Sequence, residues 1–151
     1  MLTSVNIWQL NTNRATAALN TLLLEKFQKY NIALIQEPPL SKNSIIKIPN
    51  PLHQLSSSSN PRTAIIFNPS LDIWPISHLS DRDCQVAIWY LGKKSIILIS
   101  AYWEINSSII PPKLTQAIQY AKRGKHELIM GIDSNAHHNL WGSPTNNPRG
   151  G

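Results

Sequence analysis

Glu127-Leu-Ile-Met-Gly-Ile-Asp-Ser-Asn-Ala-His-His-Asn-Leu-Trp-Gly-Ser143 is the stretch whose reading decides the fold. Leu128 to Ile132 is a short apolar run of the kind a buried strand uses, and it stops abruptly in polar residues. Asp133 and Asn135 stand two apart, so a strand continuing through them aims both side chains the same way. A carboxylate and an amide leaving the end of a buried strand together add nothing to a core. They suit the task of holding a metal-bound water beside a phosphate. Asp, Ser and Asn are also ordinary turn formers, and this segment alone leaves both readings open.

The segments upstream repeat the pattern. Val5 to Leu10 reads as a first strand with Asn11 at its carboxyl end. Ala15, Ala18, Leu19, Leu22, Leu23, Lys26, Phe27 and Tyr30 then fall on one helical stripe, apolar except at Lys26. Ile32-Ala-Leu-Ile35 is an unalternating apolar run, as in a parallel strand covered on both faces, and Gln36-Glu37-Pro38-Pro39 ends it. If the two strands pair in parallel, Asn11 and Glu37 converge at the carboxyl edge, where open α/β sheets place ligands. Residues 41–61 look looser, with Ser56 to Pro61 a polar connector.

Thr63 to Asn68 and Leu71 to Ile76 read as short strands. Gln85 to Leu91 and Ser95 to Ala101 form a hairpin around Gly92-Lys93-Lys94. Its second arm ends in Tyr102, whose ring could equally pack inward with its hydroxyl reaching water. Pro111-Pro112 opens a second helix with Leu114, Ala117, Ile118 and Ala121 on its apolar stripe and Gly124 at its end.

The bulk composition narrows the partners. The 151 residues fit one domain, and 42% hydrophobic with 15% charged content describes a globular chain. Lys plus Arg outnumber Asp plus Glu by 14 to 8 and the pI is about 9.7, which favours a polyanionic partner, nucleic acid before membrane. The single cysteine, Cys84, excludes an internal disulfide and a cysteine-based zinc site. No apolar run reaches membrane-span length and Met1-Leu-Thr-Ser is no signal peptide, so a soluble intracellular protein is expected.

Four strand ends thus carry Asn11, Glu37, Tyr102, and Asp133 with Asn135. In this order they resemble the exonuclease–endonuclease–phosphatase superfamily, and within it the endonuclease domain that precedes reverse transcriptase in non-LTR (LINE-type) retrotransposons. The strings Trp8-Gln-Leu-Asn-Thr-Asn-Arg14, Ala33-Leu-Ile-Gln-Glu-Pro38, Leu98-Ile-Ser-Ala-Tyr-Trp103 and Asp133-Ser-Asn-Ala-His-His-Asn-Leu-Trp-Gly-Ser143 carry the likeness over nearly the whole chain. It implies a four-layer α/β/β/α sandwich, two sheets with outer helices, spanning residues 1–151 as the N-terminal portion of that domain and lacking its C-terminal strands.

The same resemblance implies a function. The module would nick one strand of double-stranded DNA by phosphodiester hydrolysis, using magnesium or manganese, and leave a 3′ hydroxyl to prime reverse transcription. Its full-length parent would be nuclear and joined to a reverse transcriptase. Position by position, Glu37 matches the metal-ligating carboxylate, with Asn11 near it. Asp133 matches the residue that orients or activates water, Asn135 the amide on the scissile phosphate, and Tyr102 the phenol that contacts it. His137 and His138 fall in the loop after the site rather than among the ligands. Two departures stand out: Ile132 occupies the place usually held by glycine, with Gly131 one earlier, and the terminal Ser-Asp-His string is absent. Poor nicking, or none, by these 151 residues is therefore expected. The competing expectations are a non-catalytic remnant that binds DNA at most, and a phosphatase or phosphodiesterase of the same superfamily.

Overall fold

The regular elements of the computed structural model, which describes residues 4–26, 31–57, 59–104 and 107–133, follow the apolar runs of the chain. They are β1 (Asn6–Asn11), α1 (Thr16–Thr21) continued by a π-helical turn (Leu22–Lys26), β2 (Asn31–Gln36), β3 (Leu40–Ser41), β4 (Ser44–Ile45), β5 (His53–Leu55), β6 (Thr63–Phe67), β7 (Asp72–Pro75), a 3-10 turn (Ser77–Leu79), β8 (Cys84–Leu91), β9 (Lys94–Tyr102), α2 (Pro112–Arg123) and β10 (Glu127–Asp133). One four-stranded sheet runs β1-β2-β6-β5 and a second runs β10-β9-β8-β7, with β3 and β4 a separate two-stranded ribbon. β1 pairs β2 in parallel, as the unalternating run of β2 predicts, and β10 pairs β9 in parallel.

Three apolar layers hold the sheets and helices together. Ile32, Leu34, Ile65, Phe67, Ala87, Trp89, Ile96 and Leu98 meet between the sheets. The opposite faces of the same strands, Ala33, Ile35, Ala64 and Ile66, pack on Leu19, Leu22 and Leu23 of the first helical segment. Val86, Ile88, Ile97 and Ile99 pack on Leu114, Ala117 and Ala121 of α2. The period of two splits β1, β2, β6, β8, β9 and β10 between two cores each, which is the four-layer α/β/β/α arrangement expected.

Several local expectations are corrected. Where one helix is expected from Ala15, Thr16–Thr21 is a six-residue α-helix followed by the π turn, with Leu22 and Leu23 buried and Leu24 80% exposed; Phe27 and Tyr30 of the expected stripe lie outside the described residues. Within the loose region, His53–Leu55 adds a strand to the edge of the first sheet by pairing with β6. The hairpin turn is Gly92-Lys93 alone, because Lys94 already pairs with Leu91, and Gly92 takes the positive φ of 61° such a turn needs. Gly124 ends α2 in right-handed geometry, and Lys125 carries the positive φ instead. The strand Leu128 to Ile132 is also less buried than its composition indicates. β10 has one neighbour among the described residues, so Met130 is 42% exposed and only Gly131 is buried.

Cys84 sits fully buried at the start of β8, against α2. Burial, with a smaller push from Asp81 and Asp83, raises its thiol from the ordinary 9.0 to about 12. Because the folded pKa is raised, the contribution of the neutral thiol to stability is full below pH about 9 and is lost as pH climbs toward 12. The native protein should react sluggishly with iodoacetamide near pH 8, and the urea-unfolded chain rapidly. Equal rates in the two states would contradict the burial.

Candidate active site at the rim between the sheets

The layer between the sheets changes character along its length. Reading toward the carboxyl ends of the parallel strands at spacing two, β1 presents Ile7, Gln9 and Asn11, β2 presents Ile32, Leu34 and Gln36, and β10 presents Ile129, Gly131 and Asp133. β9 does the same with Leu98, Ser100 and Tyr102. Each series begins in the apolar core between the sheets and ends in polar groups.

The middle tier is a closed hydrogen-bond network. Gln36, with no exposed surface, donates from Nε2 to Ser100 Oγ at 3.0 Å and to the Gly131 carbonyl at 3.1 Å, and its Oε1 accepts from Gln9 Nε2 at 2.5 Å. Ser100 Oγ in turn donates to the Ile35 carbonyl at 2.7 Å. These bonds tie β1 and β2 of one sheet to β9 and β10 of the other. A buried amide with its donors and acceptor satisfied costs little and fixes the register of the two sheets. Gly131 allows the approach: a Cβ there would lie 2.7 Å from Gln9 Cγ and 3.0 Å from Leu34 Cβ.

Above this tier the two sheets meet through chemistry-bearing side chains. Asn11 Nδ2 donates to Asp133 Oδ2 across the gap, a contact between residues 122 positions apart. Asn11 Oδ1 accepts from the Asn13 amide at 2.7 Å, so both ends of the amide are oriented. Asp133 is the register partner of Tyr102, and its carbonyl accepts from Trp103 N at 2.8 Å. Glu37, half-buried, follows β2 with a positive φ of 48°. Left-handed backbone at a non-glycine residue costs of order 1 kcal/mol and persists only where neighbours enforce it. Three bonds do so: Glu37 N donates to the Arg62 carbonyl at 2.8 Å, and the Glu37 carbonyl accepts from Thr12 Oγ1 at 2.6 Å and Arg14 N at 2.8 Å. Arg14 also reaches the Pro38 and Pro61 carbonyls, so this arginine serves the loop that holds Glu37.

Asn11, Tyr102 and Asp133 thus stand at one end of the sandwich, and the backbone at Glu37 is pinned to the same end. Asn135, His137 and His138 lie outside the described residues. Among the described residues no group of three or more His, Cys, Asp or Glu gathers, and no histidine stands at this rim. His53 packs on Phe67, while His78 and His126 flank Tyr120 beside α2.

Sequence reasoning missed two parts of the site. The Gln9, Gln36 and Ser100 tier had a visible signal, polar residues in phase with the inward apolar positions of their strands. The second part is an ion-pair cluster. Arg62 forks onto Asp83, Nε to Oδ1 at 2.5 Å and Nη2 to Oδ2 at 2.8 Å, and reaches Glu104 at 3.4 Å. Its guanidinium lies 4.8 Å from the centroid of the Tyr102 ring. Hydrogen bonding to Asp83 raises the pKa of Arg62, burial opposes that, and Glu104 adds to the rise, so the guanidinium stays charged. No spacing in the chain announces this set, because its members come from three separate loops and strand ends.

No protein-family model matches the chain, and neither does any curated protein. Among solved structures it is similar to the endonuclease domain of TRAS1, a telomere-specific non-LTR retrotransposon, with a TM-score of 0.72 and 25% identity over 97% of this chain. The two share a fold. The chain spans 66% of the length of that structure. No helix among the described residues is long and apolar enough to cross a membrane.

Proposed function

We propose that the rim is the phosphate-facing site of a magnesium-dependent DNA endonuclease that nicks one strand by phosphodiester hydrolysis. The observation that carries this reading is the Asn11–Asp133 hydrogen bond, which joins the polar ends of two sheets beside a strained, three-way-anchored Glu37. A sandwich needs no carboxylate there for stability. A hydrolytic site does, because water must be oriented and relieved of a proton.

The donor set fits a hard cation. Glu37 offers a half-buried carboxylate, and Asn11, with its Nδ2 turned to Asp133, keeps a second lone pair on Oδ1 beyond the bond from Asn13. Magnesium retains most of its waters and needs one or two protein oxygens, so Glu37 and Asn11 would suffice to hold it. When bound, it supplies charge neutralisation at the phosphate oxygens. Asp133 orients the attacking water and takes its proton, and the Asn11 amide holds its carboxylate in place at the rim. Tyr102 donates its phenolic hydrogen to a non-bridging oxygen, and Asn135 donates its amide to the same phosphate. Neither adds negative charge beside an anionic substrate.

The test is conversion of supercoiled plasmid to open circle with magnesium, run with protein in excess because slow turnover is expected of a rim with no described histidine. Magnesium-dependent nicking that disappears with EDTA and in Glu37→Ala supports the reading. A second reading, DNA binding without hydrolysis, draws on the excess of 14 basic over 8 acidic residues. It prevails if no nicking occurs and Glu37→Ala binds DNA as well as or better than the parent.

A further inference from the structure

We infer that Arg62 is a positioning residue for Tyr102: anchored by Asp83 and Glu104, it fixes the phenol ring at the rim in the orientation that meets the scissile phosphate. The inference rests on the endonuclease reading and extends it to residues that reading does not use. Three features carry it. Arg62 directly precedes β6, and its own carbonyl accepts the Glu37 amide, so one residue touches the backbone of the metal-side segment and the ring of the phosphate-side residue. Its side chain, 15% exposed, is held in a two-bond fork to Asp83, a planar geometry that lysine cannot reproduce. Asp83 itself is fixed to the Tyr102 strand, because its carbonyl accepts from Tyr102 N at 2.9 Å.

The result is a closed loop: the Tyr102 backbone holds Asp83, Asp83 holds Arg62, and Arg62 covers the Tyr102 ring. A guanidinium over an aromatic face is attracted by the ring's quadrupole and leaves it a narrow range of tilt. Glu104 at 3.4 Å gives the guanidinium a second carboxylate partner beside Asp83. An ion pair serving only the sandwich would need no ring beneath it. Tyr102, 8% exposed, is the register partner of Asp133 at the rim, so it is the member of this loop that the endonuclease reading sets against the phosphate.

The decisive experiment is a double-mutant cycle with a structural readout. Arg62→Lys should lower the nicking kcat by roughly ten- to hundredfold with KM little changed, as misorientation of a reacting group does. In a Tyr102→Phe background, which keeps the ring and deletes the hydroxyl, Arg62→Lys should cost nothing further. Additive losses would mean that Arg62 acts elsewhere and would overturn the inference. Separately, 3-fluorotyrosine labels the four tyrosines, and Tyr102→Phe assigns the Tyr102 resonance. That resonance should shift and broaden in Arg62→Lys and, less strongly, in Asp83→Asn; an unchanged signal in both variants overturns the clamp. If Tyr102→Phe nicks as fast as the parent, or the parent does not nick, the endonuclease reading fails, while the fluorine signal still decides whether Arg62 holds the ring.

Discussion

Asp133→Asn is expected to cut magnesium-dependent nicking by roughly 10²–10⁴-fold, the range over which general acid–base groups contribute. The substitution is close to isosteric, and its carbonyl oxygen can still accept the Asn11 Nδ2 hydrogen bond that joins the sheets. Only the capacity to take a proton from water is removed. Stability should hardly change, because Asp133 is half-buried and its backbone bond to Trp103 N is untouched. A Tm within about 4 °C of the parent, corresponding to about 1 kcal/mol at this size, is the expected control result. DNA binding should hold or strengthen, since one negative charge leaves a surface that faces phosphates. Nicking near the parent rate, with the fold intact, would remove Asp133 from the reaction.

Gly131→Ala should act through packing and lower the stability by about 1–3 kcal/mol, with Gly131→Val worse. Two effects oppose each other here. Replacing glycine stiffens the unfolded chain and favours the folded state by about 0.4–1 kcal/mol. Against that, the new Cβ lies 2.7 Å from Gln9 Cγ and 3.0 and 3.1 Å from Leu34 Cβ and Cδ1; the first two are not side-chain ends, and Leu34 is buried in the core, which leaves its methyl little room to move. The sheets must separate or Gln9 must move, and either change strains the Gln36 network on both sides of the gap. The clash is the larger effect. Urea denaturation reads it directly, and a midpoint equal to that of the parent would show that the close approach is not needed. Because Asp133 is two residues on in the same strand, nicking should fall with stability rather than independently of it.

The chain alone determined much of this protein. Periodicity along the strands, the paired prolines after Glu37, and the polar residues that end each apolar run were enough to place Asn11, Glu37, Tyr102 and Asp133 at strand ends, while their sharing one rim was what the family resemblance implied. Such signals are local: a run of apolar residues and the residue that breaks it are neighbours in sequence. The parallel pairing of β1 with β2 followed from the doubly covered run at Ile32 to Ile35, and it fixed which ends of the strands would meet.

What only the tertiary structure decided is everything that depends on distance across the gap. Gly131 looked like a displaced family glycine and proves to be a place where a Cβ would meet Gln9 and Leu34 of the facing sheet. Gln36 looked like the first residue of a loop and is a fully buried amide bridging the sheets. Nothing in the sequence linked Arg62 to Asp83 or to Tyr102, yet Arg62 pairs with Asp83 and lies over the Tyr102 ring. The composition of Leu128 to Ile132 indicated a buried strand, whereas its place at the edge of the described sheet leaves Met130 exposed. The reason is common to all four. Burial and pairing are set by which segments meet in space, and residues tens of positions apart carry no mark of their eventual neighbour.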